Sequence, residues 1–425
     1  MRTATTTRTR PLSPAAVAVR LRILVAVEGS VLAHVGRSLC VARALESAGH
    51  EVSFAASGRY ASRFAETGRP LHPLVTRPDD ELLGRLKSGG SAFDYATLRA
   101  YVEDEIPLLD RLDPDIVVGD FRPSLAVSAE IARIPYVCVT NAVWTPYYRF
   151  LPDPPDSWWP TKIIGKPVLR RLVPLLSEYV FRHYAGPFNR LRKEFGLPPK
   201  DDVRDCMCSE NLTLIADLPE LFPCDGLPEN YKYMGPVVWT PEEPMPAWIE
   251  RLDDSRPTLY VTMGSTGTAV GPIAAALAER GFQVIVTTGS EIIPDPPKGC
   301  YAVHYAPGPL MCERADVVVC HGGNGTIYQA LSQGKPIVGV PLFHDQEFQM
   351  QRVVACGLGL SVPPGPNLPD RISRAVEEVL GDETYAERAE TFRQLIQDWD
   401  YARSLPDLVA RYARSSGSAC VGKTQ

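Results

Sequence analysis

Twice along this chain, short apolar runs end in a turn and pass straight into a helical pattern. That alternation restricts the fold more than any other feature. Leu21–Val27 is such a run, as expected of a strand buried on both faces of a parallel sheet. Glu28, Gly29 and Ser30 form the turn, and the spacing of Leu39, Ala42 and Leu45 predicts a helix near His34–Ala48, closed by Gly49. Further strands are expected at Glu51–Ala55, Asp115–Gly119 and Tyr136–Val139, the last two flanking a helix that opens at Pro123. The pattern restarts at Thr258–Met263 and continues through Gln283–Thr287, Tyr301–Tyr305, Asp316–Cys320 and Pro336–Val340. Alternating βαβ units imply parallel sheets with helices on both faces. The expected fold class is α/β: two facing, doubly wound, Rossmann-like domains with a ligand cleft at the carboxyl ends of their strands.

The two runs are separated by an unusual middle. Eighteen of the 40 prolines and four of the six tryptophans fall between Pro146 and Pro257, so this stretch is not built like the sheets on either side. The expected boundaries are a disordered tail over 1–20, one domain over 21–235, a linker over 236–257, a second domain over 258–384, helices over 385–414 that pack back on the first domain, and a tail over 415–425. The formal net charge of −6 gives no electrostatic case for a nucleic-acid partner. Ten cysteines without a CxxC pair argue against zinc or a disulfide framework and for free thiols in a reducing cytoplasm. No apolar run is long enough to cross a bilayer as a helix.

Chemistry is concentrated in Asp316–Gln346. A buried strand ends in His321-Gly322-Gly323-Asn324-Gly325-Thr326, and a helix follows at once. Glycines let the backbone approach a ligand, and a helix N-terminus offers free N–H groups and a positive dipole end, a combination that binds phosphate. His321 and the Thr326 hydroxyl add donors. A second turn, Gly264-Ser265-Thr266-Gly267, also follows a strand. Asp345 and Gln346, after the strand Pro336–Val340, can bind vicinal sugar hydroxyls; Asp345 can equally cap the next helix.

His321 to Gln346 resembles the donor signature of the UDP-glycosyltransferase superfamily, whose members have the two-domain GT-B fold. The resemblance implies that Tyr305 stacks on the nucleotide base, His321 and Gly325-Thr326 bind the diphosphate, and Asp345-Gln346 hold the donor sugar. Gln329 stands where many relatives carry a ribose-binding Glu, Gly308 where plant members carry Gln, and Gln349 where an Asn is common. Near the start, His34 and His50 lie 16 residues apart, as in bacterial members, although Ala33 and Arg37 replace that segment's Gly and Pro. The resemblance makes His34 the general base on an acceptor hydroxyl and Asp120 the acid that holds it, the role an Asp plays in a hydrolase triad. A helix cap is the structural alternative for Asp120, and His50 is read as a turn residue.

Acceptor contacts are expected from Asn141–Trp159, rich in aromatic residues and proline, with Trp144, Tyr147 and Phe150 as candidates. An irregular cover over the core explains that composition as well. Residues 161–204 carry ten Lys/Arg against four Asp/Glu, which suits either peripheral contact with an anionic lipid surface or a solvated helix face. Of two DxD letter matches, Asp113–Asp115 precedes a strand and Asp398–Asp400 lies in a helical segment, so no metal is expected, and no cofactor beyond a UDP- or dTDP-sugar co-substrate. The expected activity is inverting, metal-independent sugar transfer to a small-molecule or glycolipid acceptor, in natural product or antibiotic biosynthesis. A sugar-nucleotide 2-epimerase and a non-enzymatic nucleotide-sugar-binding subunit are the alternatives.

Overall fold

A computed structural model describes residues 20–87, 93–150, 153–154, 159–264, 270–289, 293, 295–342 and 344–421. The expected tail over 1–20 lies outside the described residues but for Arg20, as do Ser265 and Thr266. The first half builds β1 (Arg22–Glu28), β2 (Glu51–Ser57), β3 (Leu71–His72), β4 (Ile116–Asp120), β5 (Tyr136–Thr140), β6 (Leu212–Ile215) and β7 (Tyr231–Tyr233). They form one parallel sheet in the order β3-β2-β1-β4-β5-β6-β7. The second half builds β8 (Thr258–Thr262), β9 (Gln283–Thr287), β10 (Cys300–Val303), β11 (Val317–Cys320), β12 (Ile337–Gly339) and β13 (Gly359–Ser361). These also run parallel, in the order β10-β9-β8-β11-β12-β13.

The apolar runs explain the sheets. All five residues of β4 and of β8 are buried, as both faces are covered by helices. Chain order reverses between β1 and β4 in one sheet and between β8 and β11 in the other. Those two switch points open crevices at the strands' carboxyl ends, the place where doubly wound sheets take their ligands.

The halves share a core. Ile215, Leu218 and Phe222 of the first pack in one buried cluster with Ile327, Tyr328 and Met350 of the second. The Tyr328 hydroxyl accepts the Leu218 N–H at 2.8 Å. The closing helix, Tyr401–Val421, returns to the first half and buries Leu405 and Val409 among Leu39, Val41 and Leu45. It runs beyond residue 414, where the sequence reading ended it. Residues 415–421 contain no proline, and a lone Gly417 costs a helix interior only about 1 kcal/mol. Among the described residues, no helix is long and apolar enough to cross a membrane.

Candidate active site

His34 lies in the first turn of the helix Leu32–Ser47, which follows β1, and Asp120 is the last residue of β4. The switch point therefore brings together two residues 86 positions apart, with His34 Nδ1 at 2.7 Å from Asp120 Oδ1. The imidazole is 20% exposed and the carboxylate 3%, so the ring reaches the cleft while the acid supports it from below. Burial opposes ionisation of Asp120, but the Arg37 guanidinium and the His34 ring outweigh it and hold the carboxyl below the usual range. An ionised Asp120 can only accept, so His34 donates through Nδ1 and keeps Nε2 as its proton acceptor.

Two features of this pair have no local signature. Arg37, one helical turn after His34, donates from Nε to Asp120 Oδ2 at 2.6 Å and from Nη2 to Oδ1 at 2.7 Å. Phe121 takes a left-handed φ of 51° directly after β4, and its ring stacks on His34 at 4.5 Å with planes 5° apart. Such a conformation is costly for a bulky residue and is found where surrounding structure enforces it. Here it presses an aromatic face onto the imidazole. Trp144 joins His34 and Asp120 in lining a cavity of about 20 Å³. Of the other aromatic candidates, Tyr147 packs edge-on against Tyr231 of β7, and Phe150 lies under the Arg352 guanidinium at 4.3 Å. A larger cavity, about 500 Å³, opens at the opposite ends of β4 and β5 among Asp115, Tyr136 and Tyr412, away from the dyad.

Across the cleft, Gly264 lies two residues past the end of β8 and His321 directly follows β11. The His321 ring sits between glycines: a Cβ on Gly264 would come within 2.6 Å of its Cε1, and one on Gly323 within 2.3 Å of its Nε2. Gly264 also has a φ of +67°. Burial lowers the His321 pKa to about 4, which makes the ring neutral near pH 7 and a hydrogen-bond donor rather than a cation. Its Nδ1 is buried with no protein partner. Gly323 caps the helix Asn324–Leu331, whose first turn holds Gly325 and Thr326, while Gly322 packs on Met350. A Cβ on Gly325 would lie 3.8 Å from Ala33, so this turn meets the helix that carries His34.

The two sides are also joined by hydrogen bonds. Arg37 Nη1 donates to Asn141 Oδ1 at 3.0 Å, and Asn141 Nδ2 donates to Asp217 at 3.3 Å. Asp217 further accepts the Ala142 N–H at 2.7 Å and Asn324 Nδ2 at 2.8 Å. Burial raises the Asp217 carboxyl pKa even against these donors. A buried polar chain thus runs from the dyad to the glycine turn. Sequence reading missed Asp217, whose partners lie some 75 and 107 positions away.

Of the remaining donor candidates, Tyr305 stands half-exposed just past β10, with the Tyr60 phenol beside it. Gln329 donates to the Trp239 carbonyl at 3.3 Å, and a Cβ on Gly308 would come within 2.5 Å of its side-chain oxygen. Asp345 and Gln346 open the helix His344–Ala355; Gln346 is buried, and its carbonyl accepts the Leu342 N–H at 2.8 Å. His50 is a structural turn residue whose Nδ1 accepts the Leu21 N–H at 3.3 Å.

This geometry coincides with strong similarity to known proteins. The chain is 35% identical to the "PGL/p-HBAD biosynthesis glycosyltransferase" of Mycobacterium tuberculosis (strain H37Ra) over 381 residues, covering 89% of each chain. It belongs to the UDP-glycosyltransferase superfamily. Residues 274–409 of this glycosyltransferase match the family described as erythromycin biosynthesis protein CIII-like, C-terminal domain. The "PGL/p-HBAD biosynthesis rhamnosyltransferase" of Mycobacterium bovis (strain BCG) is also 35% identical over 381 residues, covering 89% of this chain and 84% of the relative. Among solved structures, the spinosyn rhamnosyltransferase SpnG complexed with thymidine diphosphate superposes with a TM-score of 0.66, covering 91% of this chain and all of that one at 18% identity. The GT-B fold and glycosyltransferase activity follow.

Proposed function

We propose that this glycosyltransferase moves a deoxyhexose, rhamnose foremost, from a dTDP-sugar to a hydroxyl of a glycolipid or natural-product precursor, with inversion at the anomeric carbon. The observation that carries the mechanism is the His34–Asp120 contact of 2.7 Å at one switch point, with the Gly325 turn of the other against Ala33. His34 Nε2 takes the acceptor proton as the acceptor oxygen bonds to C1 of the donor sugar. The C1–O bond to the diphosphate breaks on the opposite face, and the nucleoside diphosphate leaves with that electron pair. Asp120 holds the tautomer and offsets the charge of the imidazolium. Neutral His321, the N–H groups opening Asn324–Leu331 and that helix dipole stabilise the leaving diphosphate.

The donor assignment rests on a relative named a rhamnosyltransferase and a fold neighbour that binds thymidine diphosphate. UDP-sugars are the runner-up donors. Charge stabilisation of the leaving diphosphate is assigned in this proposal to His321 and the N-terminus of the helix Asn324–Leu331. The nine free cysteines among the described residues suit a reducing cytoplasm, where activated sugars are made.

A thermal-shift screen of UDP-, dTDP- and GDP-sugars tests the donor. The correct nucleotide at about a hundredfold excess over its Kd adds about 2.7 kcal/mol. The largest shift is expected from dTDP-rhamnose, and a preference for a GDP-sugar contradicts the assignment. Proton NMR of the product then reports inversion, and turnover in the presence of EDTA reports independence from metal.

A further inference from the structure

Among the described residues, fifteen large apolar side chains are exposed, and nine of them fall within Ile163–Tyr184. Scattered exposed apolar residues need no explanation, but a concentration of this kind marks an interaction surface. It is carried mainly by the helix Lys166–Tyr184, in which Leu169 is the one buried side chain among those described. Val168, Leu172, Leu175, Leu176 and Tyr179 recur at i, i+4, i+7, i+8 and i+11, so they share one stripe along the helix. Leu175 is 78% exposed, Tyr179 72% and the preceding Ile163 75%. Arg171 and Arg182, themselves exposed, run along one border of that stripe.

Charge separates the possible occupants. Residues 159–184 hold five Lys/Arg and one acidic residue, Glu178, in a chain whose net charge is −6. A two-fold contact with a second copy would bring this positive segment against itself. An anionic lipid surface complements it, and the arrangement of apolar stripe, basic border and interfacial tyrosine is that of a helix lying in a bilayer interface. The helix is also fastened to the rim of the cleft: Arg170 Nε donates to Asp153 at 2.9 Å, and the Asp153 N–H donates to Gln351 at 2.9 Å. Gln351 belongs to the same helix as Asp345 and Gln346.

We propose that the helix Lys166–Tyr184 is a peripheral docking element that lays its Val168–Tyr179 stripe into an anionic bilayer surface and brings the cleft mouth to acceptors held there. The inference deepens the glycosyltransferase reading by saying where the acceptor is met. Vesicle binding requires no turnover, so the two stand or fall separately.

The full chain is floated with phosphatidylcholine vesicles, with and without phosphatidylglycerol, at low and high salt. Binding is expected only to the anionic vesicles, with loss at high salt. The Leu175→Glu/Tyr179→Glu variant, altered at exposed positions, is expected to keep the wild-type thermal midpoint and to lose at least about tenfold in vesicle partition. Should that variant unfold, Arg171→Glu/Arg182→Glu gives the same reading through charge alone. Absence of wild-type binding, equal binding to neutral vesicles, or binding unchanged in both variants would overturn the proposal. So would a wild-type dimer that either variant converts to monomer, which would assign the stripe to a second copy.

Discussion

Asp120 serves two donors, because the Arg37 guanidinium and the His34 Nδ1–H meet on one carboxylate buried at the end of β4. Removing either partner of a buried ion pair leaves an uncompensated charge, at about 3–5 kcal/mol. Arg37→Ala is therefore expected to lower the unfolding free energy by about that amount in urea titration. A change below about 1 kcal/mol would mean that water reaches the carboxylate. His321 gives a second, independent reading. Burial lowers its pKa from 6.5 to about 4, so between those values the unfolded chain binds a proton that the folded chain does not. This contribution is complete above pH 6.5 and is lost as pH falls toward 4, on the order of 3 kcal/mol in all. Urea titrations between pH 7 and pH 4 should show a steeper loss for the wild type than for His321→Gln; parallel curves contradict a neutral, desolvated ring. The placement of His34, Asp120 and His321 at or just past strand ends was legible because each ends or follows an apolar run. Arg37 was visible only as a departure from the superfamily's pattern. Asn141 and Asp217 gave no signal, since a buried polar partner a hundred positions away leaves no periodicity.

The turns after β8 and β11 work as a pair, because the glycine of one makes room for the histidine of the other. Gly264→Ala adds a Cβ 2.6 Å from the His321 ring at a φ of +67°, where a side chain is itself disfavoured. Loss of dTDP affinity by at least about tenfold is expected in calorimetric titration, which corresponds to 1.4 kcal/mol. Unchanged affinity would remove this turn from the donor site. The same elements show which parts of the fold a single sequence discloses. β1, β4, β8, β9 and β11 were read within a residue or two, since each is a dense apolar run bounded by turns. β3 (Leu-His), β6 (Leu-Thr-Leu-Ile), β7 (Tyr-Lys-Tyr) and β13 (Gly-Leu-Ser) were missed: they are short and, unlike the equally short β11 (Val-Val-Val-Cys), hold no unbroken apolar run. β6 and β7 also lie within the proline-rich middle, where the irregular segments Asn141–Phe150 and 236–246 obscure the βαβ rhythm. The exposed helix Lys166–Tyr184 was legible as basic and amphipathic, but exposure of its apolar stripe needed the structure.

The two sheets do not behave as separate bodies joined by a tether. A common core runs between them, the Asp217 hydrogen bonds link the His34–Asp120 pair to the glycine turn after β11, and the last helix returns to cover the first half. Leu405→Ala should accordingly destabilise the first half by about 2–5 kcal/mol, although residue 405 follows the second sheet in sequence. Hydrogen exchange would place that loss at the helix Leu32–Ser47; a loss confined to residues 258–384 would contradict this assembly. One architecture thus sets His34 at one switch point against the glycine turn at the other, and sugar transfer with His34 as base is what that arrangement is proposed to achieve. The most direct test compares His34→Ala with the wild type for dTDP affinity and for turnover with the donor that the thermal-shift screen selects. Turnover is expected to fall by about 10²–10⁴, the usual worth of a general base, with dTDP affinity unchanged. Wild-type turnover in His34→Ala would contradict the account.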